Sequence, residues 1–142
     1  MQPALVKSDS VASILERDGE TTIQNWFEMV EQSVELMRIP LSRHERIGHL
    51  PELFRDLIDR LRLGRGAATP ISMAARDHGE IRRQQGYTAS MVVEESRFLQ
   101  VSIFETLQRN LRSADFSRAL PDLVTIADEC DSQLKQAMLS YR

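Results

Sequence analysis

The sequence predicts an all-α fold, a helical bundle of five or six helices of which the last two are the longest. Apolar residues recur in steps of three and four along most of the chain, which is the period of one face of a helix. No segment shows the alternation of apolar and polar residues that is typical of a half-buried strand. The six glycines are dispersed, and each is expected to mark a helix end or break. Residues 1–142 are therefore expected to form a single helical domain.

A short first helix follows a tail, residues 1–9, which we expect to be frayed because it contains Pro3 and little periodicity. Ser8 or Ser10 is a suitable N-cap, since a serine side chain can accept a hydrogen bond from a free backbone N–H of the first turn. Gly19 is predicted to end this helix.

The second helix is predicted to open at Thr21 or Thr22 and to end at Pro40, which lacks the backbone N–H that a helix interior needs. One apolar stripe marks its buried face, namely Ile23, Trp26, Phe27, Val30, Val34 and Met37. Because the stripe keeps the helical period throughout, we expect one continuous helix over this span.

Two further helix starts are visible in the next segment. Ser42 and Glu45 stand three apart in the order of a capping box. Pro51 suits the first turn of another helix, whose end is predicted at Gly64 and Gly66. The apolar face of that helix comprises Leu53, Phe54, Leu57, Ile58 and Leu61.

Thr69 and Pro70 predict the start of the following helix, because threonine is a good N-cap and proline is tolerated at the first helical position. This helix is expected to end at Gly86 in a left-handed conformation, and Thr88 is expected to cap the next one. The stripe of that next helix is Val92, Ser96, Leu99, Ile103 and Leu107.

The last helix, predicted over 116–142, carries apolar and small residues at the a and d positions of a heptad repeat. These residues are Leu120, Leu123, Ala127, Cys130, Leu134, Ala137 and Tyr141. Two interpretations are open. The residues form a homodimer interface, or the helix is an ordinary amphipathic helix of the bundle. We expect the first, in which the helix couples the domain to a partner subunit or to a downstream segment.

Three ionisable residues border the apolar stripes on either side of Gly86. His78 and Arg82 are four apart and share a face of one helix, while Glu95 lies on the next helix. The short link makes the two helices antiparallel, so Arg82 and Glu95 are predicted to pair, with His78 beside them. In the alternative, Glu95 reaches another helix and Arg82 is solvated. If buried, these charges need partners, so the cluster either fixes the packing or forms a binding site.

The sequence contains no recognisable catalytic or metal-binding motif. No H-E-x-x-H motif, cysteine pair, Gly-x-Ser-x-Gly elbow or phosphate-binding glycine loop occurs. His44 and His49 are expected at the surface or in caps, and Cys130 is expected to be an inert small apolar residue. A histidine on a helix can ligate haem, but charged residues surround His78. We therefore expect no catalytic residue, no metal and no cofactor.

Composition also limits the partners and the compartment. A net charge of −3 and a pI of about 5.6 argue against a nucleic-acid partner. No apolar run approaches the ~20 residues of a membrane span, and the N-terminus lacks the apolar core of a signal peptide. One cysteine cannot form an internal disulfide. We expect a cytoplasmic protein that does not insert into a membrane.

Residues spread from Ile14 to Leu111 carry a resemblance to a known family. They are Trp26 and Val30; His49-Leu50-Pro51 with Leu53 and Leu57; His78-Gly79 with Arg82; Gly86-Tyr87; and Val93-Glu94 leading to Leu99. With this pattern the chain resembles the N-terminal domain of RsbT co-antagonist proteins of the RsbRD type, which is also found at the N-terminus of bacterial sensor histidine kinases.

The resemblance implies an all-α, globin-like sensory domain that lacks haem and precedes an output domain. The implied function is non-catalytic, namely signal input and homodimerisation, with the signal passed through the C-terminal helix to a kinase or antagonist domain. Two other classes remain open. One is a small-molecule or haem sensor with a pocket between helices. The other is a regulatory enzyme, for which the sequence offers no catalytic set.

Overall fold

The computed structural model describes residues 10–63, 71–111 and 113–141, and within these ranges it contains helices but no β-strand. The helices are α1 (Val11–Arg17), α2 (Gly19–Glu31), α3 (Val34–Met37), α4 (Arg43–Ile47), α5 (Leu50–Leu63), α6 (Met73–Gln84), α7 (Ala89–Asn110) and α8 (Ser113–Ser140). The all-α bundle is confirmed, and its last two helices are the longest, with 22 and 28 residues, but the described residues form eight helices where five or six are predicted. None of the helices in the described ranges is both long and apolar enough to cross a membrane.

Side-chain caps fix several helix starts where the sequence predicts them. Ser10 caps α1 and Thr88 caps α7, each by accepting a hydrogen bond from the backbone N–H three residues further on. Ser42 and Glu45 form the expected capping box at the start of α4. The capping box fixes the start of α4, whose C-terminal carbonyls contact the buried cluster described below.

The start of α6 differs from the prediction. Ser72 is its N-cap and accepts a hydrogen bond from the backbone N–H of Ala75, so the helix begins after the predicted Thr69–Pro70. Thr69–Pro70 itself lies outside the described residues. The same holds for the predicted helix end at Gly64 and Gly66 and for the predicted frayed tail, residues 1–9.

The second helix begins earlier than predicted. α2 starts at Gly19, which was expected to end the preceding helix, and Thr22 lies inside α2 rather than at its cap. The hydroxyl of Thr22 is buried and lies 2.6 Å from that of Thr106 on α7. A buried hydroxyl needs such a partner, so Thr22 serves to join the two helices.

The second helix also ends earlier than predicted, because Ser33 interrupts it. Ser33 has an extended backbone, and its side chain accepts a hydrogen bond from the N–H of Leu36, which starts α3. The break turns Val34 and Met37 out of the core, and they are 74% and 44% exposed. The prediction of one continuous helix through Met37 is therefore wrong.

The backbones of α6 and α8 touch at Gly79. A Cβ atom built on Gly79 would lie 1.9 Å from the carbonyl oxygen of Ala137 and 2.7 Å from its Cα. No side chain fits between two backbones at this separation, so glycine permits the approach. The crossing holds the segment of α6 that carries His78 and Arg82 close to α8.

A Schellman motif ends α6. Gly86 has a φ of 94°, as the sequence predicts for a left-handed C-terminal residue. The N–H of Tyr87 donates to the carbonyl of Arg82 at 3.0 Å, and the N–H of Gly86 donates to that of Arg83 at 3.1 Å. The turn sends the chain directly into α7.

Five of the seven heptad residues of α8 face the core of their own bundle. Cys130 and Ala137 are buried in that core, and Leu123, Leu134 and Tyr141 pack against it partly buried. The assignment of Cys130 and Ala137 to a subunit interface is therefore wrong. An a/d period reports that one helix face is apolar, but it does not distinguish a partner helix from the rest of the same chain.

Buried polar residues on α8 form hydrogen bonds with α5, on the side of α8 that packs against the core. The Glu129 carboxylate accepts hydrogen bonds from Arg60 Nη1 at 3.1 Å and from Gln133 Nε2 at 2.9 Å. Gln133 Nε2 also lies 2.9 Å from the carbonyl of Leu53. These bonds tie α8 to α5. The helix begins at Ser113, so the predicted range 116–142 starts slightly late.

Candidate functional site

The structure brings together the three residues that the sequence singles out. Arg82 Nε donates to Glu95 Oε1 over 3.0 Å, and His78 Nε2 lies 3.3 Å from the same oxygen. The side chains of Arg82 and Glu95 are 1% and 3% exposed. The predicted pairing across the Gly86 turn is thus present, and the alternative with a solvated Arg82 is wrong.

Arg82 also caps the C-terminal end of α4. Its Nη1 donates to the carbonyl of Glu45 at 3.0 Å and to Gln85 Oε1 at 2.7 Å, and its Nη2 donates to the carbonyl of Arg46. The last carbonyls of a helix lack partners within the helix, and the helix dipole favours a cation beside them. One guanidinium therefore joins α4, α6 and α7.

A second buried arginine, Arg46 on α4, extends the same arrangement. It donates to the carbonyl of Leu36 at 3.2 Å and to that of Ile39 at 2.6 Å, at and just beyond the end of α3. Arg46 Nη1 also donates to the hydroxyl of Tyr87 at 3.2 Å. The guanidinium of Arg82 in turn lies over the Tyr87 ring, 4.7 Å from its centroid. We call His78, Arg82, Glu95, Arg46 and Tyr87 the charged cluster.

Sequence reasoning missed Arg46 as a member of the cluster and did not give Tyr87 a role in it. Arg46 lies in a short polar segment in which no apolar stripe marks a buried face. Tyr87 follows the glycine that ends α6 and belongs to no helix. A helical period cannot report burial at such positions, because it requires several turns of regular structure.

The pKa values in the cluster follow from burial and charge together. Burial by itself raises the pKa of Glu95, but the hydrogen bond to His78 and the charge of Arg82 outweigh it, and the pKa lies below its ordinary value. Burial and then the Glu95 carboxylate raise the pKa of Tyr87 to about 12. Glu95 is therefore ionised and Tyr87 neutral at pH 7.

A pocket of about 40 Å³ lies beside the cluster, where α2, α5, α6, α7 and α8 meet. His78 and Glu95 line one part of it, and most of the remaining wall is apolar, including Trp26, Val92, Leu99 and Leu134. Small-molecule sites in proteins are typically apolar pockets with a few polar groups. The pocket has this character, although its volume limits any occupant to a few atoms.

Two buried polar atoms near the pocket have no hydrogen-bond partner among the described residues, Glu95 Oε2 and His49 Nδ1. The His49 ring meets the His78 ring edge to face, with 6.2 Å between centroids. Buried polar atoms without partners are rare in folded proteins, and each is a candidate contact for water or a ligand. Glu95 both lines the pocket and carries such an atom.

Neither a metal centre nor a nucleophile emerges from this geometry. The described residues contain no group of three or more His, Cys, Asp and Glu side chains that could hold a metal ion. His78 Nε2, the atom that would ligate haem iron, faces Glu95, and the pocket is much smaller than a porphyrin. Burial raises the pKa of Cys130 to about 12, so its thiol stays protonated and unreactive at pH 7.

We compared the chain with models of known protein families, with curated proteins and with solved structures, and none of the three comparisons found a match. The fold and the cluster define the class of protein no further than an all-α bundle with a buried charged centre. The resemblance to the RsbRD-type domain rests on the residues quoted above and stays a prediction.

Proposed function

We propose that the chain is a non-catalytic sensory and dimerisation domain of a cytoplasmic bacterial signalling protein, in which α8 passes the signal to a kinase or antagonist output domain. The resemblance to the RsbRD-type domain is the reason for proposing this class of protein. In this proposal, the charged cluster and the pocket are the candidate input region within the described residues. The contacts of α8 are the candidate connection to the output domain.

The observation that carries the proposal is a direct connection between the charged cluster and the end of α8 through Tyr87. The Tyr87 hydroxyl accepts a hydrogen bond from Arg46 inside the cluster, while the Tyr87 carbonyl accepts one from the hydroxyl of Tyr141 at 2.5 Å. Tyr141 directly follows α8. A displacement of Tyr87 therefore changes a contact at the C-terminal end of the helix. Signal transfer requires a structural element whose conformation differs between the signalling states. In this proposal, that element is the C-terminal end of α8.

Amide hydrogen exchange tests this connection. Glu95→Gln removes the charge of the carboxylate and keeps its shape, and we expect it to speed exchange several-fold in the last two turns of α8, because Arg82, which lies over the Tyr87 ring, loses its anionic partner. Glu94→Gln is the matched control, since Glu94 pairs with Arg97 at the surface of the same helix. Equal exchange in α8 for both variants would contradict the proposal.

Dimerisation needs a surface other than the buried heptad residues. Leu120 and Val124 are four apart on α8 and are 49% and 70% exposed. Residues spaced by four share one helix face, so the pair is an apolar patch available to a second copy. Of the predicted interface residues, Leu120 alone belongs to this patch.

We expect sedimentation equilibrium to show a dimer that dissociates when Leu120 and Val124 are both replaced by aspartate, because two charges would lose their water in the interface. Leu63→Asp is the control, since Leu63 is a similarly exposed leucine at the end of α5. A parent protein that stays monomeric at every concentration would refute dimerisation. A dimer that survives the double change would refute the patch.

A further inference from the structure

We propose that the pocket beside the charged cluster binds a neutral molecule of about two or three non-hydrogen atoms that carries one hydrogen-bond donor, as a short-chain alcohol does. Its volume of about 40 Å³ sets the size. A buried water needs about 10–15 Å³ of such space, so this pocket has room for roughly two or three non-hydrogen atoms.

The wall of the pocket sets the chemistry of the ligand. Trp26, Val92 and Leu99 offer an apolar surface to a short carbon chain. Glu95 lines the pocket, and its buried oxygen Oε2 has no hydrogen-bond partner within 3.5 Å among the described residues. Leaving a buried carboxylate oxygen without a donor is costly, so a ligand hydroxyl that donates to it gains a charge-assisted hydrogen bond.

The charges of the cluster favour a neutral ligand over a cationic one. Arg82 already pairs with Glu95, and Arg46 adds a second buried positive charge close by. A cation entering the pocket would meet Glu95 but would also be repelled by these two guanidinium groups. An anion would be repelled by the Glu95 carboxylate that lines the pocket. A neutral donor avoids both penalties.

The half-buried wall residues indicate where the ligand enters. Ser96 on α7 and Leu134 on α8 line the pocket and remain partly accessible, whereas Trp26 and Val92 are buried. We therefore place the mouth between α7 and α8. A ligand seated there would touch the helix that carries the proposed output. Its use as a signal rests on the proposed function, but its binding does not.

Ethanol is the probe, and the sole tryptophan, Trp26, is the reporter because it lines the pocket. We expect ethanol to change the Trp26 fluorescence saturably. We also expect shifts in methyl NMR signals confined to pocket residues such as Val92 and Leu99. A linear change that spreads over the whole protein would be a solvent effect and would overturn the proposal.

A pocket-filling variant and a matched core variant make the test specific. Ala75→Val adds two carbon atoms to the pocket wall and should abolish the saturable ethanol response. Ala12→Val adds the same atoms elsewhere in the core, on α1, and should leave the response unchanged. An unaltered response in the Ala75 variant would overturn the site. Failure of that variant to fold would contradict the free volume on which the site depends.

Two further probes test size and chemistry. Acetonitrile has as many non-hydrogen atoms as ethanol but no donor, so we expect it to bind several-fold more weakly. Indole is far larger and should not bind. Equal binding of acetonitrile would refute the role of Glu95, and saturable binding of indole would refute the size limit. If ethanol binds but leaves amide hydrogen exchange in α8 unchanged, the proposed binding site is supported and the proposed signalling role is refuted.

Discussion

Replacing Glu95 by alanine is expected to lower the free energy of unfolding by about 3–5 kcal/mol, the range for removal of one partner of a buried ion pair. The carboxylate is the counter-ion of Arg82 and lies against His78 in the core. Without it, Arg82 and Arg46 remain as two buried cations with no described anionic partner of their own in the cluster. Urea unfolding followed by circular dichroism measures the loss.

A double-mutant cycle separates pairing from simple loss of packing. Arg82→Ala combined with Glu95→Ala should recover part of the single-variant cost, because no stranded cation remains. Full recovery is not expected, since Arg82 also caps the carbonyls of Glu45 and Arg46. The surface pair Glu94–Arg97 is the control, and its coupling should stay below about 1 kcal/mol. A coupling near zero for the buried pair would disprove the prediction.

The Glu95 carboxylate also determines the direction in which its contribution to the free energy of unfolding changes with pH. The pKa of Glu95 in the folded protein lies below its ordinary value of 4.5. Its contribution to stability is therefore complete above that ordinary value and is lost as the pH falls through the lower, folded value. Glu95→Gln should remove this acid-dependent loss, while Glu94→Gln should not. Unfolding curves of these two variants at neutral and acidic pH compare the effects directly.

Features that depend only on residues close together in the chain could be predicted from the sequence. The capping box at Ser42 and Glu45 and the left-handed turn at Gly86 each follow from residue types at fixed local offsets. The pairing of Arg82 with Glu95 follows from one further step, because a tight turn makes the two helices that carry them antiparallel.

Features that depend on competing local bonds or on distant partners were not predictable in this way. The side chain of Ser33 ends α2 by bonding to the backbone, although the apolar stripe continues past it. Arg46 is buried because its partners are the carbonyls of Leu36 and Ile39, at and just beyond the end of α3, and no sequence period indicates those contacts. The apolar face of α8 was predictable, but its partner, the rest of the same bundle, was not.

Gly79→Ala is expected to lower the free energy of unfolding by about 3 kcal/mol, at the upper end of the cost of overpacking a core. The added methyl group would lie 1.9 Å from the carbonyl oxygen of Ala137, which is backbone and cannot rotate away. α6 and α8 would have to move apart by more than an ångström, and this would disturb His78 and Arg82 on the same helix. The gain in helix propensity, about 1 kcal/mol, is too small to compensate.

Two companion variants identify the cause of that loss. Glu80→Ala changes the exposed neighbouring position of α6 and should alter the free energy of unfolding by less than about 0.5 kcal/mol in the same urea titration. Ala137→Gly removes the side chain opposite Gly79 but leaves the carbonyl group that the new methyl would meet. Combined with Gly79→Ala, it should therefore restore no stability. A rescued double variant would show that side-chain crowding, rather than contact between the two backbones, determines how closely α6 and α8 pack.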